Sequence, residues 1–195
     1  SEGAAIQLSR TEALYELTAV ARDRPKAILS LTSVLTAWRM NILKLDSFQN
    51  AEGWSVHRVV FEDSEGWLRL NPDQFEPLLE ALRRALVEGT EQVLEARQRR
   101  PFPSPKRVAP RVALSPSPQA GTTCIELVAP DRRGLLHDVA RVLDQFGCTI
   151  VAALVDTQGP KAFDAIWVTR GGRALSPREQ QELRIRLLSL LEGRM

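Results

Sequence analysis

The chain repeats itself at an almost constant interval, and this limits its possible folds more than any other feature. Asp131 lies 108 positions after Asp23, and the helically spaced residues Ile28, Leu31, Leu35 and Trp38 map at that offset onto Leu136, Val139, Leu143 and Phe146. Alternating strand residues keep the same register: Leu17, Ala19 and Ala21 become Ile125, Leu127 and Ala129, and Ile42 becomes Ile150. Further on, Leu70-Asn71-Pro72 matches Leu175-Ser176-Pro177, and Leu78, Leu82 and Leu86 match Leu183, Leu187 and Leu191, now at offset 105. The residues lost between the two offsets fall in turns, where loss costs little. Two amphipathic stripes holding register define an internal repeat.

Each repeat reads strand, helix, strand, strand, helix. In the first, Tyr15 to Ala21 alternates as a strand, and Asp23-Arg24-Pro25 reads as a cap followed by a proline in the first helical turn. Ile42 to Ser47 and Trp54 to Phe61 are strands joined by the turn Asn50-Ala51-Glu52-Gly53, and a helix follows Pro72. One more strand completes a βαββαβ unit, in which two helices cover one face of an antiparallel sheet. The predicted class is therefore α+β, with two ferredoxin-like units at 12–96 and 120–195 and a linker at 97–119. Ser1 to Arg10 reads as a frayed, polar lead-in. The last strand of the first unit is expected at Thr90 to Ala96 or at Arg107 to Leu114. Since the second unit has only its helix before Met195, its open sheet edge is expected to take Arg107 to Leu114 or the other repeat.

The linker holds six of the twelve prolines, with Arg97, Arg99, Arg100, Lys106, Arg107 and Arg111 and no acid. It reads as a stiff, solvated connector, because a single aromatic, Phe102, makes no stacking platform for bases and the net charge of the chain is only +2. Neither nucleic acid nor a membrane is implied as a partner, and no apolar run approaches the ~20 residues of a membrane span. The start, Ser1-Glu2-Gly3, has neither an initiating Met nor a signal-peptide pattern, and reads as the edge of a segment from a longer protein. Cys124 and Cys148 read as reduced thiols of a cytoplasmic protein. The expected topology puts a strand between theirs, which places them beyond disulfide reach.

The chemistry is expected at the turn Asp131-Arg132-Arg133-Gly134-Leu135-Leu136, between an apolar strand and a helix. Asp131 sits where an N-cap belongs, and Gly134 permits close approach of a ligand or of another chain. A helix start offers free amide donors and a positive dipole end, which suit the carboxylate of a small molecule.

These residues, continued through His137-Asp138-Val139-Ala140, resemble the Asp-Arg-Pro-Gly-Leu-Leu turn of ACT domains, small βαββαβ regulatory modules that bind amino acids. The paired arrangement, the Pro/Arg-rich connector containing Pro110-Arg111-Val112-Ala113-Leu114, and Thr149-Ile150, Gly159, Asp164 and Val168-Thr169 in the second unit narrow the resemblance. They resemble the C-terminal ACT pair of the uridylyltransferase/uridylyl-removing enzymes that act on the PII nitrogen-signalling protein. The resemblance implies a regulatory, non-catalytic fragment with no cofactor that binds an amino acid, glutamine above all, between ACT units. Its units would pair within the chain or in a homodimer and serve the catalytic domains of a parent enzyme. The implied ligand residues are Asp131, Arg132, Arg133, Gly134, Leu135, Leu136 and Thr149, with Asp23, Arg24 and Asn41 as first-repeat counterparts. The second repeat is the expected binder: amides after Asp131 hold the carboxylate, Asp131 receives the ammonium, and Thr149 reads the side-chain amide. The first repeat departs from the pattern, with Lys26 in place of Gly134 and His57 in place of Asp164; the second has Arg133 where Pro25 stands.

No catalytic constellation is evident. His57, beside Trp54 and Arg58, and His137, read as a partly exposed helix residue, lack the base-and-orienter spacing a Ser or Cys nucleophile needs. The acids are scattered rather than clustered for a metal, and Trp38, Trp54, Trp67 and Trp167 read as core or interface fillers. The competing expectation is a free-standing ACT-repeat protein, a dimerisation module without a ligand.

Overall fold

The computed structural model describes residues 3–11, 14–89, 108–118 and 121–194. Strand β1 (Ala4–Thr11) leads into β2 (Leu14–Arg22), α1 (Ala27–Ala37), β3 (Asn41–Gln49), β4 (Trp54–Glu62), the single turn α2 (Trp67–Leu70), and α3 (Phe75–Val87). Then β5 (Arg111–Pro116) precedes β6 (Thr123–Pro130), α4 (Leu135–Gln145), β7 (Cys148–Gln158), β8 (Lys161–Arg170) and α5 (Pro177–Leu191). All eight strands form one antiparallel sheet in the order β1-β2-β4-β3-β7-β8-β6-β5. The fold is α+β, two ferredoxin-like ACT units side by side.

The periodicities become burial directly. Leu17, Ala19 and Ala21 and their counterparts Ile125, Leu127 and Ala129 are at most 1% exposed, and meet Leu31, Leu35, Val139 and Leu143 from the helices. Capping also follows the sequence at α5, where Ser176 and Glu179 form a reciprocal capping box.

The edge strand of the first repeat overturns the expected order. Residues 4–11, expected to be frayed, form β1 and pair with β2 along its length, with Ile6 opposite Ala19 and Leu8 opposite Leu17. The strand expected over 107–114 runs over Arg111–Pro116 and pairs with β6 in the same register, Val112 opposite Leu127 and Leu114 opposite Ile125. In the first repeat a leading strand occupies the sheet position where a trailing one was expected; in the second the open edge takes the linker strand, as expected. A strand needs only an unpaired neighbour, and the edge beside the first core strand is reached as readily from before it as from after the second helix. The alternative at Thr90 to Ala96 lies outside the described residues.

The repeats meet edge to edge. In the β3–β7 ladder Asp46 faces Leu154, its own counterpart at the 108-residue offset, so an approximate twofold passes through that pair. Each of these strands carries an irregularity near its start, between Ile42 and Lys44 and between Ile150 and Ala152, and such bulges re-aim the residues around them. Helices α1 and α4 pack across the same seam, where Ser33 Oγ and His137 Nδ1 are 3.2 Å apart. His137 is accordingly buried, not the partly exposed residue expected. Both cysteines are free, with β8 running between their strands.

Candidate functional site

Helices α1 and α4 begin alike. The residue before each, Lys26 or Gly134, takes a left-handed conformation (φ 68° and 77°) and caps the helix without a side-chain hydrogen bond. The caps expected at Asp23 and Asp131 are not formed, and Pro25 precedes α1 rather than starting it. Gln49 Nε2 instead donates to Asp23 Oδ1 at 2.8 Å, and Asn41 Nδ2 donates to Asp131 Oδ2 at 3.4 Å. The left-handed conformation is free for Gly134 and costs Lys26 about 1 kcal/mol.

Because of the twofold, the turn of each repeat faces the strand start of the other. Asp131, Arg132, Gly134, Leu135 and Leu136 come together with Asn41 of the first repeat, and with Val155 and Asp164, around a space of only about 10 Å³. That is room for about one water. A Cβ on Gly134 would stand 3.1 Å from Thr36 Cγ2, so the glycine serves the close approach of α1. The guanidinium of Arg132 is held by buried Asp138 at 2.7 Å, and Arg133 reaches Glu65 of the other repeat at 2.8 Å.

Thr149, expected beside Asp131, lies at the other turn. It lines a cavity of about 220 Å³ with Pro25, Lys26, Ala27, Ile28 and Leu29 from the start of α1, Ser47 and His57 from the sheet, Ala140 and Asp144 from α4, and Gly147, Cys148 and Ile150. Pro25, Lys26, Gly147 and Thr149 are exposed, so the cavity opens to solvent. Lys26 Nζ meets Asp144 Oδ2 across the rim at 3.2 Å. Asp23 and Arg24 are exposed and lie outside this lining.

The two sites differ most in their floors. In the open cavity, His57 stands opposite Ser47 in the β3–β4 register, and its Nδ1 is 2.9 Å from Ser47 Oγ. It is 2% exposed, Nε2 has no hydrogen-bond partner, and burial pushes its pKa down to about 4, so the ring is neutral near pH 7. In the closed site Asp164 stands opposite Val155, which offers no side-chain partner, and its Oδ1 is unpaired. Burial, reinforced by the charge of Asp131, raises Asp164 to about 7; burial also raises Asp131. Grouping His57 with its chain neighbours Trp54 and Arg58 misses this floor. Those two side chains point to the other face, and the signal is the alternation Ser55, His57, Val59, Phe61, all buried.

Among the described residues no group of three or more His, Cys, Asp or Glu is placed to hold a metal ion, and no helix is long and apolar enough to cross a membrane.

No protein-family model matches the chain. It is 30% identical over 175 residues to the bifunctional uridylyltransferase/uridylyl-removing enzyme of Idiomarina loihiensis, covering 84% of this chain. It is 27% identical over 185 residues to the enzyme of that name from Caulobacter vibrioides, covering 91%. The chain spans 19% of the length of each relative and is homologous to their C-terminal region. The crystal structure of aspartate kinase from Synechocystis matches 92% of this chain and 27% of that one, with TM-score 0.50 and 15% identity, a likeness of fold.

Proposed function

We propose that this ACT-like regulatory module, related to the C-terminal region of the uridylyltransferases, senses a free amino acid, with glutamine favoured, and passes its occupancy to the catalytic domains of a nitrogen-signalling parent protein in the cytoplasm. The observation that carries this reading is the cavity of about 220 Å³ at the seam of the two repeats, walled by both and opening to solvent. It is smaller than the ~300–1,000 Å³ of drug-sized sites and suits a single small metabolite. A ligand that touches both repeats binds one relative arrangement of them better than others, which is the requirement for a regulatory population shift. On this reading the regulatory units span β1 to α3 and β5 to α5, and the chain carries no active site of its own. Pairing of two such chains in a homodimer belongs to the same proposal.

Thermal melting with and without glutamine tests it. Glutamine at about one hundred times its dissociation constant should stabilise the chain by roughly 2.7 kcal/mol. A melting point unmoved by glutamine at millimolar concentration would leave the module as a ligand-free dimerisation device.

A further inference from the structure

We propose that the amino acid binds in the open cavity at Lys26 rather than at the Gly134 turn, and that buried His57 there reads a neutral hydrogen-bonding side chain, selecting an amide over a carboxylate. This rests on the amino-acid-sensing reading above and adds which of the two related turns is used and how the side chain is recognised.

Space decides between the turns. The Lys26 side encloses about 220 Å³, whereas at the Gly134 side about 10 Å³ remains between Asn41, Asp131 and Asp164. The closed side also gathers Asp131 and Asp164, a poor setting for a ligand carboxylate.

The open cavity has complementary groups for both ends of an amino acid. At the rim stand the Lys26 ammonium and the Asp144 carboxylate, 3.2 Å apart and supplied by different repeats. The first-turn amides of α1, at Ile28 and Leu29, belong to a helix start whose N–H groups have no intrahelical partner. A zwitterion entering here exchanges the Lys26–Asp144 pair for two pairs of its own. Its carboxylate meets Lys26 and the α1 amides, and its ammonium meets Asp144.

The side chain then reaches the floor, where the second, independent observation lies. His57 is 2% exposed, Ser47 fixes its Nδ1 at 2.9 Å, and Nε2 has no partner. A buried polar group left unpaired is costly, and a ligand group that pairs it recovers that cost. An amide carries both donors and an acceptor, so it pairs with Nε2 in either tautomer of the imidazole. A carboxylate at the floor would find a neutral ring and no nearby cation among the lining residues, since Lys26 is at the rim. An aliphatic side chain would leave Nε2 unpaired.

Isothermal titration of the 195-residue chain with glutamine, glutamate and leucine tests this. Glutamine is expected to bind about tenfold or more tightly than either competitor. His57→Leu should weaken glutamine by about tenfold and bring the three ligands within a few-fold of one another. Asp164→Asn, in the closed site, should leave glutamine within about twofold. If glutamine gives neither heat nor a melting shift with the unaltered chain, amino-acid sensing fails and this proposal fails with it. If glutamine binds and His57→Leu binds equally well, or Asp164→Asn abolishes binding, the site is wrong while sensing stands. A nitrogen-15 imidazole spectrum of the unaltered chain decides the same question without depending on the folding of a variant. Glutamine must move the His57 Nε2 resonance, and an unmoved resonance at saturation overturns the proposal.

Discussion

The two helix starts have one backbone and two chemistries. Lys26 and Gly134 adopt the same left-handed conformation at matched places, yet one borders an open cavity and the other a closed contact. The difference lies in what faces each turn. Opposite Lys26 is Asp144, held across a gap by a long side chain; opposite Gly134 is Thr36, the counterpart of Asp144, whose methyl closes on the bare glycine. A glycine in such a turn therefore does not by itself mark the ligand site. Here it marks a close approach of Thr36 from the other repeat, and the residue that departs from the pattern borders the larger space.

The comparison can be broken first at the cores, which should be equivalent if the difference is confined to the turns. Leu35 and Leu143 are counterparts and both fully buried, so Leu35→Ala and Leu143→Ala should each cost about 2–5 kcal/mol, close to one another, in urea unfolding. Values far apart would place the asymmetry in the cores instead.

The buried floors should oppose each other in pH. His57 has a folded pKa near 4, below its ordinary 6.5, so the unfolded chain binds more protons between those values. Its part of the stability is full above about pH 6.5 and is lost as pH falls toward 4. Asp164 is raised from 3.8 to about 7, so its part is full below about pH 3.8 and is lost as pH rises through 7. Each effect is on the order of 3 kcal/mol. Because the two oppose over about pH 4 to 6.5, relative to the unaltered chain His57→Leu should tilt the urea midpoints toward a rise in acid and Asp164→Asn should tilt them toward a decline in acid. A pH slope unchanged by either substitution would mean that these groups are hydrated.

At the turns themselves, Gly134→Val puts a β-branched residue at φ 77° and its Cβ within 3.1 Å of Thr36, and should cost about 2 kcal/mol or more. Lys26→Gly relieves the backbone at φ 68° but removes the ion pair with Asp144 and loosens the unfolded chain. Its net effect should stay within about 1 kcal/mol. If the two substitutions had equal effects, the turns would be interchangeable after all.

How much of this is legible in the sequence follows from what each element depends on. The helices and inner strands are readable because their burial repeats at 3.6 and 2 residues, and because a second copy keeps the same register. The first edge strand is not: β1 shares with β5, which the sequence does offer for the second unit's open edge, little more than Ile6-Gln7-Leu8-Ser9 against Val112-Ala113-Leu114-Ser115, at an offset of 106 instead of 108. Edge strands bury one flank and need few defining residues. Of the expected site residues, Asp131, Arg132, Gly134, Leu135 and Leu136 do come together, but Thr149 lies at the other turn. A repeat says which residues correspond; it does not say that the strand of one copy crosses to the other. That is fixed by the β3–β7 pairing, a contact between copies that the residues within either copy do not specify. His57 is visible in the sequence, but only the phase of its strand turns it inward, away from its chain neighbours.

The β3–β7 seam has a mechanical consequence. Only four residue pairs join the repeats there, against eight in β3–β4 and ten in β7–β8, so the sheet is thinnest in hydrogen bonds along its midline. Within the sheet the two halves are thus joined along a short line, with β1 and β5 as their far rims. A ligand bound as proposed, between α1 and the start of β7, would sit beside this seam. A small rotation of one half about this seam would grow across three strand spacings before it reaches β1 or β5.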